Sequence, residues 1–253
     1  WEPEINAVTG EATYTAKFTQ SDCVAKIGEV GYNSLADAIA NVKNGETIVL
    51  VDDCAENVTI KQVSGKSFTI DGAGKTYSGT ITVDGNKRST GKETLTIKNV
   101  NFVAGTIYKH KNTGVGGNYT ITNCTFDGQG LKDYAINLGG TNAIVIENVT
   151  AKDYGYGLLQ VPSSNVSLTV KDVKVSGCKY GFKVDYSNGV TMENVFVANA
   201  RYYGLYDSNY GTKTYNIKNS EISSIEIWER PNMTNVSTFK FEGANKVDAL
   251  DNS

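Results

Sequence analysis

The chain of 253 residues contains one histidine, three prolines, two methionines and two tryptophans. A single histidine, His110, excludes any mechanism that needs two, and it sits in Lys109-His110-Lys111, away from glycine. Four cysteines, Cys23, Cys54, Cys124 and Cys178, have neither CxxC nor Cys/His spacing, which argues against a zinc site. Cys23 and Cys54 flank one segment and are the pair a disulfide would join, whereas Cys124 and Cys178 lie too far apart in the repeat described below. Mostly free thiols are expected. No apolar run approaches the roughly 18 residues of a membrane helix. The formal net charge is −3, with no basic stripe, so nothing favours nucleic acid or anionic lipid.

What is abundant is glycine, at 26 residues, in a chain that is 40% apolar and 20% charged. That composition buries a core and supplies many tight corners. The corners recur. Leu95-Thr96-Ile97-Lys98-Asn99 is echoed by Tyr119-Thr120-Ile121-Thr122-Asn123, Ile144-Val145-Ile146-Glu147-Asn148, Leu168-Thr169-Val170-Lys171-Asp172, Val190-Thr191-Met192-Glu193-Asn194 and Tyr215-Asn216-Ile217-Lys218-Asn219. The Asn/Asp positions step by 24, 25, 24, 22 and 25 residues. Flanking coils at Phe68–Gly72 and Phe239–Gly243 carry glycine at that position.

Each segment alternates apolar and polar residues and then ends on a residue that tolerates the left-handed backbone of a sharp bend. A strand of about five residues buries too little to stand alone, and hairpin signals are sparse. Like strands must therefore stack in parallel, one coil per repeat. The expected architecture is an all-β, single-stranded parallel β-helix of about eight or nine coils, right-handed by the general rule for parallel crossovers. Stacked asparagines about 4.8 Å apart should donate to the next coil and accept from the previous one, with Asp172 serving as an acceptor. This accounts for the glycosylation-like sequons at Asn123 and Asn148 without invoking glycosylation.

A second rank is expected one strand later: Tyr134-Ala135, Tyr156-Gly157, Tyr180-Gly181 and Tyr203-Gly204, with Ile136, Leu158, Phe182 and Leu205 pointing inward. At the front, Ser34 should cap a short helix near 34–43, with Asp37 three residues on and Leu35, Ala38, Ile39 and Val42 forming one apolar face. Asn44-Gly45 should end the helix, and 46–51 should be the first strand.

The stretch from Tyr32 through Leu50, followed by the asparagine repeat, resembles the opening motif and body of the pectin-lyase-like right-handed parallel β-helix superfamily, over about residues 30–250. That resemblance implies a fold, and it leaves activity open because the superfamily contains lyases, hydrolases, phage tailspikes and adhesins. Trp1-Glu2-Pro3-Glu4-Ile5 and the run from Val8 to Phe18 resemble the closing strand of small repeat modules in multidomain bacterial surface proteins. Two parts are thus expected: a strand remnant or linker over 1–20 and the β-helix over 21–253. The resemblance implies an extracellular or secreted location, with the chain monomeric within a longer multidomain protein.

Candidate chemistry is sparse. The Gly-His-Gly pattern of polygalacturonase-type hydrolases is missing. The calcium-dependent lyases of the superfamily use an acidic cluster and a basic residue. The positions here that fit this best are Lys183 and Asp185 in one coil, with Arg201, Tyr206 and Asp207 in the next. Asp185 and Asp207 would hold calcium, and Lys183 or Arg201 would abstract a proton. The same residues also read as surface charge on neighbouring coils. Asp52-Asp53 is a further acidic pair, at a turn where aspartate is common. Tyr154, Tyr156, Tyr180, Tyr186, Tyr202, Tyr203, Tyr206 and Tyr210 crowd the later coils, and Tyr186, Tyr202, Tyr206 and Tyr210 are the candidates for stacking a sugar. Two functions follow as expectations. One is a non-enzymatic surface module that is adhesive, binds a glycan or host ligand, or acts as a spacer. The other is a polysaccharide lyase or glycoside hydrolase acting on an acidic or plant-type glycan.

Overall fold

The computed structural model describes residues 23–62, 66–85, 93–110, 116–162, 166–209, 212–229 and 237–252. The module-like segment over 1–20 lies outside the described residues. The stacked strands form a parallel β-solenoid of about seven turns. One long sheet runs through Thr47–Leu50, Phe68–Asp71, Thr94–Lys98, Asn118–Asp127, Ala143–Lys152, Val166–Ser176, Ser187–Ala198, Lys213–Lys218 and Ser237–Glu242, each parallel to its neighbour. A nine-stranded sheet forms another flank: Val58–Gln62, Thr80–Gly85, Thr106–Lys109, Tyr134–Leu138, Gly157–Val161, Tyr180–Asp185, Tyr203–Asn209, Ile225–Glu229 and Leu250–Asn252.

The corner asparagines set the shape. Asn99, Asn123, Asn148, Asp172, Asn194 and Asn219 all have φ between 48° and 55°. In Asn118–Asp127 the bend shifts the alternation, so Ile121 and Cys124, three apart rather than two, both point inward. The amides do form a ladder, but its polarity is the reverse of that expected. Asn148 Nδ2 donates 2.8 Å back to Asn123 Oδ1, Asn123 donates 3.3 Å to Asn99, and Asn99 donates 2.9 Å to Asp71 Oδ1. Asn194 donates 2.8 Å to Asp172, which has no N–H with which to extend the chain to Asn148. Gly243 keeps the left-handed bend, at φ 74°. Gly72 does not, because Ala73 takes that role at φ 49°. At Gly72 a Cβ would stand 2.5 Å from Asn99 O, so the small residue serves close approach.

The interior is filled rank by rank. Ile48, Ile70, Ile97, Ile121, Ile146, Val170, Met192 and Ile217 are register partners in the long sheet, and all are buried. Each such side chain contributes roughly 1.5–3 kcal/mol. Tyr77, Phe102, Phe126 and Tyr154 stack along one interior line, with centroid separations of 5.6, 4.5 and 6.5 Å. Tyr154 therefore belongs to the core and not to a surface array.

Helix Leu35–Asn41 buries Leu35, Ala38 and Ile39, and Ser34 Oγ accepts the Asp37 N–H at 3.0 Å, as the capping pattern predicts. The Glu56 carboxylate, which the sequence did not mark, also accepts from Leu35 N at 2.8 Å and Ala36 N at 3.3 Å. The helix ends earlier than expected, where Val42 turns to an extended conformation. An antiparallel hairpin, Ala25–Ile27 with Val30–Tyr32, adds to the front of the long sheet against Thr47–Leu50. Its signal was the Gly28-Glu29 turn between two short apolar runs. All four cysteines are free, and Cys54, Cys124 and Cys178 are buried. No helix among the described residues is long and apolar enough to cross a membrane.

Candidate functional site

The nine-stranded sheet presents outward, in register, Asn137, Gln160, Lys183, Tyr206 and Glu226. Beside this rank runs a band of tyrosines. Tyr134 meets Tyr156 at 5.6 Å and Tyr180 at 6.4 Å; Tyr180 meets Tyr202 at 5.4 Å and Tyr203 at 6.3 Å; Tyr203 meets Tyr206 at 6.0 Å. The expected one-per-coil ladder is corrected here. Gly157, not Tyr156, pairs with Tyr134 and Tyr180, and the inward partner of Ile136 and Phe182 is Leu159 rather than Leu158. The true spacing is 23 residues from Ile136 to Leu159, Phe182 and Leu205. A Cβ on Gly157 would lie 3.1 Å from the Tyr134 ring and would also run into Tyr180 O. The missing side chain lets rings two coils apart meet, and it displaces Tyr156 to the rim.

Cations lie against these rings. Lys179 Nζ is 4.9 Å from the Tyr156 centroid, Arg201 is 5.8 Å from Tyr202, and Lys183 bridges Tyr180 at 5.5 Å and Tyr206 at 5.6 Å. Tyr156 is 40% exposed and Tyr202 47%, large areas for aromatic side chains. Asp133, Tyr134, Tyr156, Gln160, Tyr180 and Lys183 line an open cleft of about 320 Å³. Burial, followed by neighbouring tyrosine and carboxylate charge, pushes the Tyr180 hydroxyl up. Burial and then Asp185 do the same to Tyr206. Both phenols therefore remain donors near neutral pH. Asn137 Nδ2 donates to Gln160 Oε1 at 3.3 Å, a contact that uses none of the Gln160 amide N–H groups. The arrangement is an aromatic shelf edged by cations and amides, able to stack a ring and hydrogen-bond its hydroxyls.

The residues proposed as a lyase set do not converge. Lys183, Arg201 and Tyr206 belong to the shelf. Asp185 is half-buried and accepts from Ser208 Oγ at 3.4 Å. Asp207, expected on the flank, is 0% exposed and points into the solenoid, in register with inward Val184 and Ile227. Two carboxylates on opposite faces of a sheet cannot share one calcium ion. Among the described residues no three acidic, histidine or cysteine side chains are grouped to hold a metal. Asp52 and Asp53 serve their turn: Asp52 Oδ1 accepts Asp53 N at 2.8 Å, and Asp53 Oδ1 accepts Thr76 N at 2.7 Å. Tyr186 is half-buried at φ 68°, just past the strand end, and Tyr210 lies outside the described residues.

Sequence reasoning missed Asp133, Gln160 and Lys179. The 23-residue register that links Gln160 to Lys183 and Tyr206 was the signal available for Gln160. It also missed Lys109, fully buried among inward aliphatics, whose Nζ donates to Gly139 O at 2.8 Å and Gly140 O at 2.9 Å. Burial draws that ammonium down to about 8.

Compared with known proteins, the chain matches no family model, no curated protein and no solved structure.

Proposed function

We propose that this chain is a non-catalytic, extracellular solenoid of the pectin-lyase-like, right-handed kind, an adhesive module of a bacterial surface protein that binds a glycan along its tyrosine flank. The observation that carries this reading is the shelf itself: exposed Tyr156 and Tyr202, stacked on Tyr134 and Tyr180, with Lys179, Lys183 and Arg201 against the rings. Tyrosine offers a flat apolar face and a hydroxyl with little rotamer entropy to lose, which suits the alternating faces of a pyranose. The coil spacing of about 4.8 Å repeats the ring along the solenoid axis, so an extended oligosaccharide contacts several coils at once. Buried Asp207 is turned away from Asp185, which separates the two carboxylates of the candidate lyase set, and this weighs toward binding without turnover. Three buried free thiols are compatible with an oxidising exterior because burial shields them from oxidants.

The test is a glycan array probed with the purified chain and with a Tyr156→Ala/Tyr202→Ala variant. Binding by the parent that drops at least about tenfold in the variant supports the reading. No binding across neutral and acidic glycans leaves a spacer, and turnover of any glycan in a parallel screen makes the protein an enzyme; either result overturns the proposal.

A further inference from the structure

Asp207 and Lys213 face each other inside the solenoid where strand Tyr203–Asn209 gives way to strand Lys213–Lys218. Lys213 Nζ stands 3.9 Å from Asp207 Oδ1, with the Asp207 side chain fully buried and that of Lys213 4% exposed. At that distance the contact is an ion pair without a hydrogen bond, and Lys213 Nζ has no hydrogen-bond acceptor. Asp207, by contrast, is well supplied. Tyr215 OH donates to Oδ2 at 2.9 Å, Ser187 Oγ donates to the same oxygen, and Ser187 N lies 3.4 Å from Oδ1. A buried ammonium with no acceptor is among the costliest groups in a protein interior, and a distant carboxylate compensates it poorly.

We propose that Lys213 and Asp207 are a self-modification site, at which the lysine amine and the aspartate carboxyl condense to an intramolecular amide. The proton count is already correct. An ammonium facing a carboxylate carries the same protons as an amine facing a carboxylic acid, so one internal transfer gives the reactive pair. The Nζ lone pair attacks Asp207 Cγ, and the N–C bond forms. One C–O bond then breaks, and its oxygen leaves as water with the carboxyl proton and one amine proton. No oxidant or cofactor is needed. Tyr215 OH and Ser187 Oγ, both on Oδ2, stabilise the charge that collects on that oxygen in the tetrahedral stage. Burial raises the Asp207 carboxyl and lowers the Lys213 ammonium, which favours the neutral pair. The product removes both buried charges and ties the start of one coil to the end of the strand before it.

The intact mass of the purified, folded 253-residue chain tests this. The expected value is about 18 Da below the sequence mass, the loss of one water. Trypsin should fail to cut after Lys213, releasing residues 202–218 as one peptide that carries the whole deficit. Lys213→Arg, whose guanidinium is a poor acyl acceptor, should restore the full mass. Should that variant not fold, wild-type chain kept in denaturant from synthesis should show the full mass and lose the water only on refolding. A folded wild-type chain that stays at its sequence mass after prolonged incubation overturns the proposal. So does a deficit that leaves Lys213 cleavable, which marks dehydration elsewhere, or one already present in never-folded chain.

Discussion

The two flanks of this solenoid are built on the same repeat and put it to different use. On the long sheet the outward positions are Thr69, Thr96, Thr120, Val145, Thr169 and Thr191, and beside them runs Asp71, Lys98, Thr122, Glu147, Lys171, Glu193 and Lys218. Threonine fits a pleated surface, and the alternating charges pair between coils, as in Lys98–Asp71 at 3.2 Å and Lys218–Glu193 at 3.6 Å. The nine-stranded sheet puts tyrosines, lysines and amides in the corresponding places. Its inward face departs as well. The rank Ile60, Val83, Lys109, Leu138, Val161, Val184, Asp207, Ile227 carries two buried charges, whereas the long sheet's inward face carries one, Lys213 at the start of its strand. One sheet is a scaffold satisfied by solvent and by its own neighbours, and the other concentrates the groups whose presence stability alone does not explain.

Five measurements break or sharpen that contrast. The largest effect should come from the interior that both flanks share. Phe126→Ala removes a ring stacked 4.5 Å from Phe102 and should lower stability by about 3–5 kcal/mol in denaturant unfolding, with loss of both flanks together. Next is Gly157→Val, which forces a branched side chain against Tyr180 O and the Tyr134 ring. Overpacking of this kind should cost about 1–3 kcal/mol and should abolish flank binding, whereas Ser167→Val on the other sheet does neither.

The inward charge is tested by pH. Because burial holds the Lys109 ammonium at about 8 in the fold, below its ordinary 10.5, the unfolded chain binds more protons between those values. Stability should therefore gain from Lys109 as pH rises from about 8 toward 10.5. Buried thiols such as Cys124, pushed up to about 11, pull the other way. The readout is thus the stability of wild type minus that of Lys109→Met, which should rise as pH goes from about 8 to 10.5 and stay level below that range. A difference independent of pH would contradict a buried, depressed lysine.

Smaller in stability but decisive for function, Tyr156→Ala should change unfolding by less than about 1 kcal/mol while weakening glycan retention in affinity electrophoresis. Thr169→Ala on the opposite flank should change neither. The least effect is expected from Lys171→Ala, since its exposed pairing with Glu147 at 3.9 Å should be worth under about 0.5 kcal/mol and vanish in high salt.

The fold was legible because its determinants are local and repeated. Alternation, an asparagine bend and a step of 22 to 25 residues each leave a mark in the sequence. The cap helix was equally plain from Ser34 and Asp37. The flank was half legible. Tyr134, Tyr180, Tyr202 and Tyr206 could be named, but Tyr156 was placed one residue out of register, since steps of 22 and 24 hide a true step of 23. Asp207 was misplaced for a physical reason: inward positions of a solenoid read as apolar, and only the partners Ser187, Lys213 and Tyr215, which come from other strands, make a carboxylate tolerable there. Such partnerships arise between coils, and no spacing rule within one strand announces them.

The 23-residue register that runs from Ile136 to Leu205 in the nine-stranded sheet has an evolutionary meaning. Each rung touches only the rung before and the rung after, so an in-frame duplication of one whole turn inserts a fitting piece between two fitting neighbours. The molecule behaves as a ruler whose length grows in steps of about 4.8 Å while its markings stay aligned. Reach, and the number of rungs a flank presents, can thus be selected independently of the side chains each rung carries.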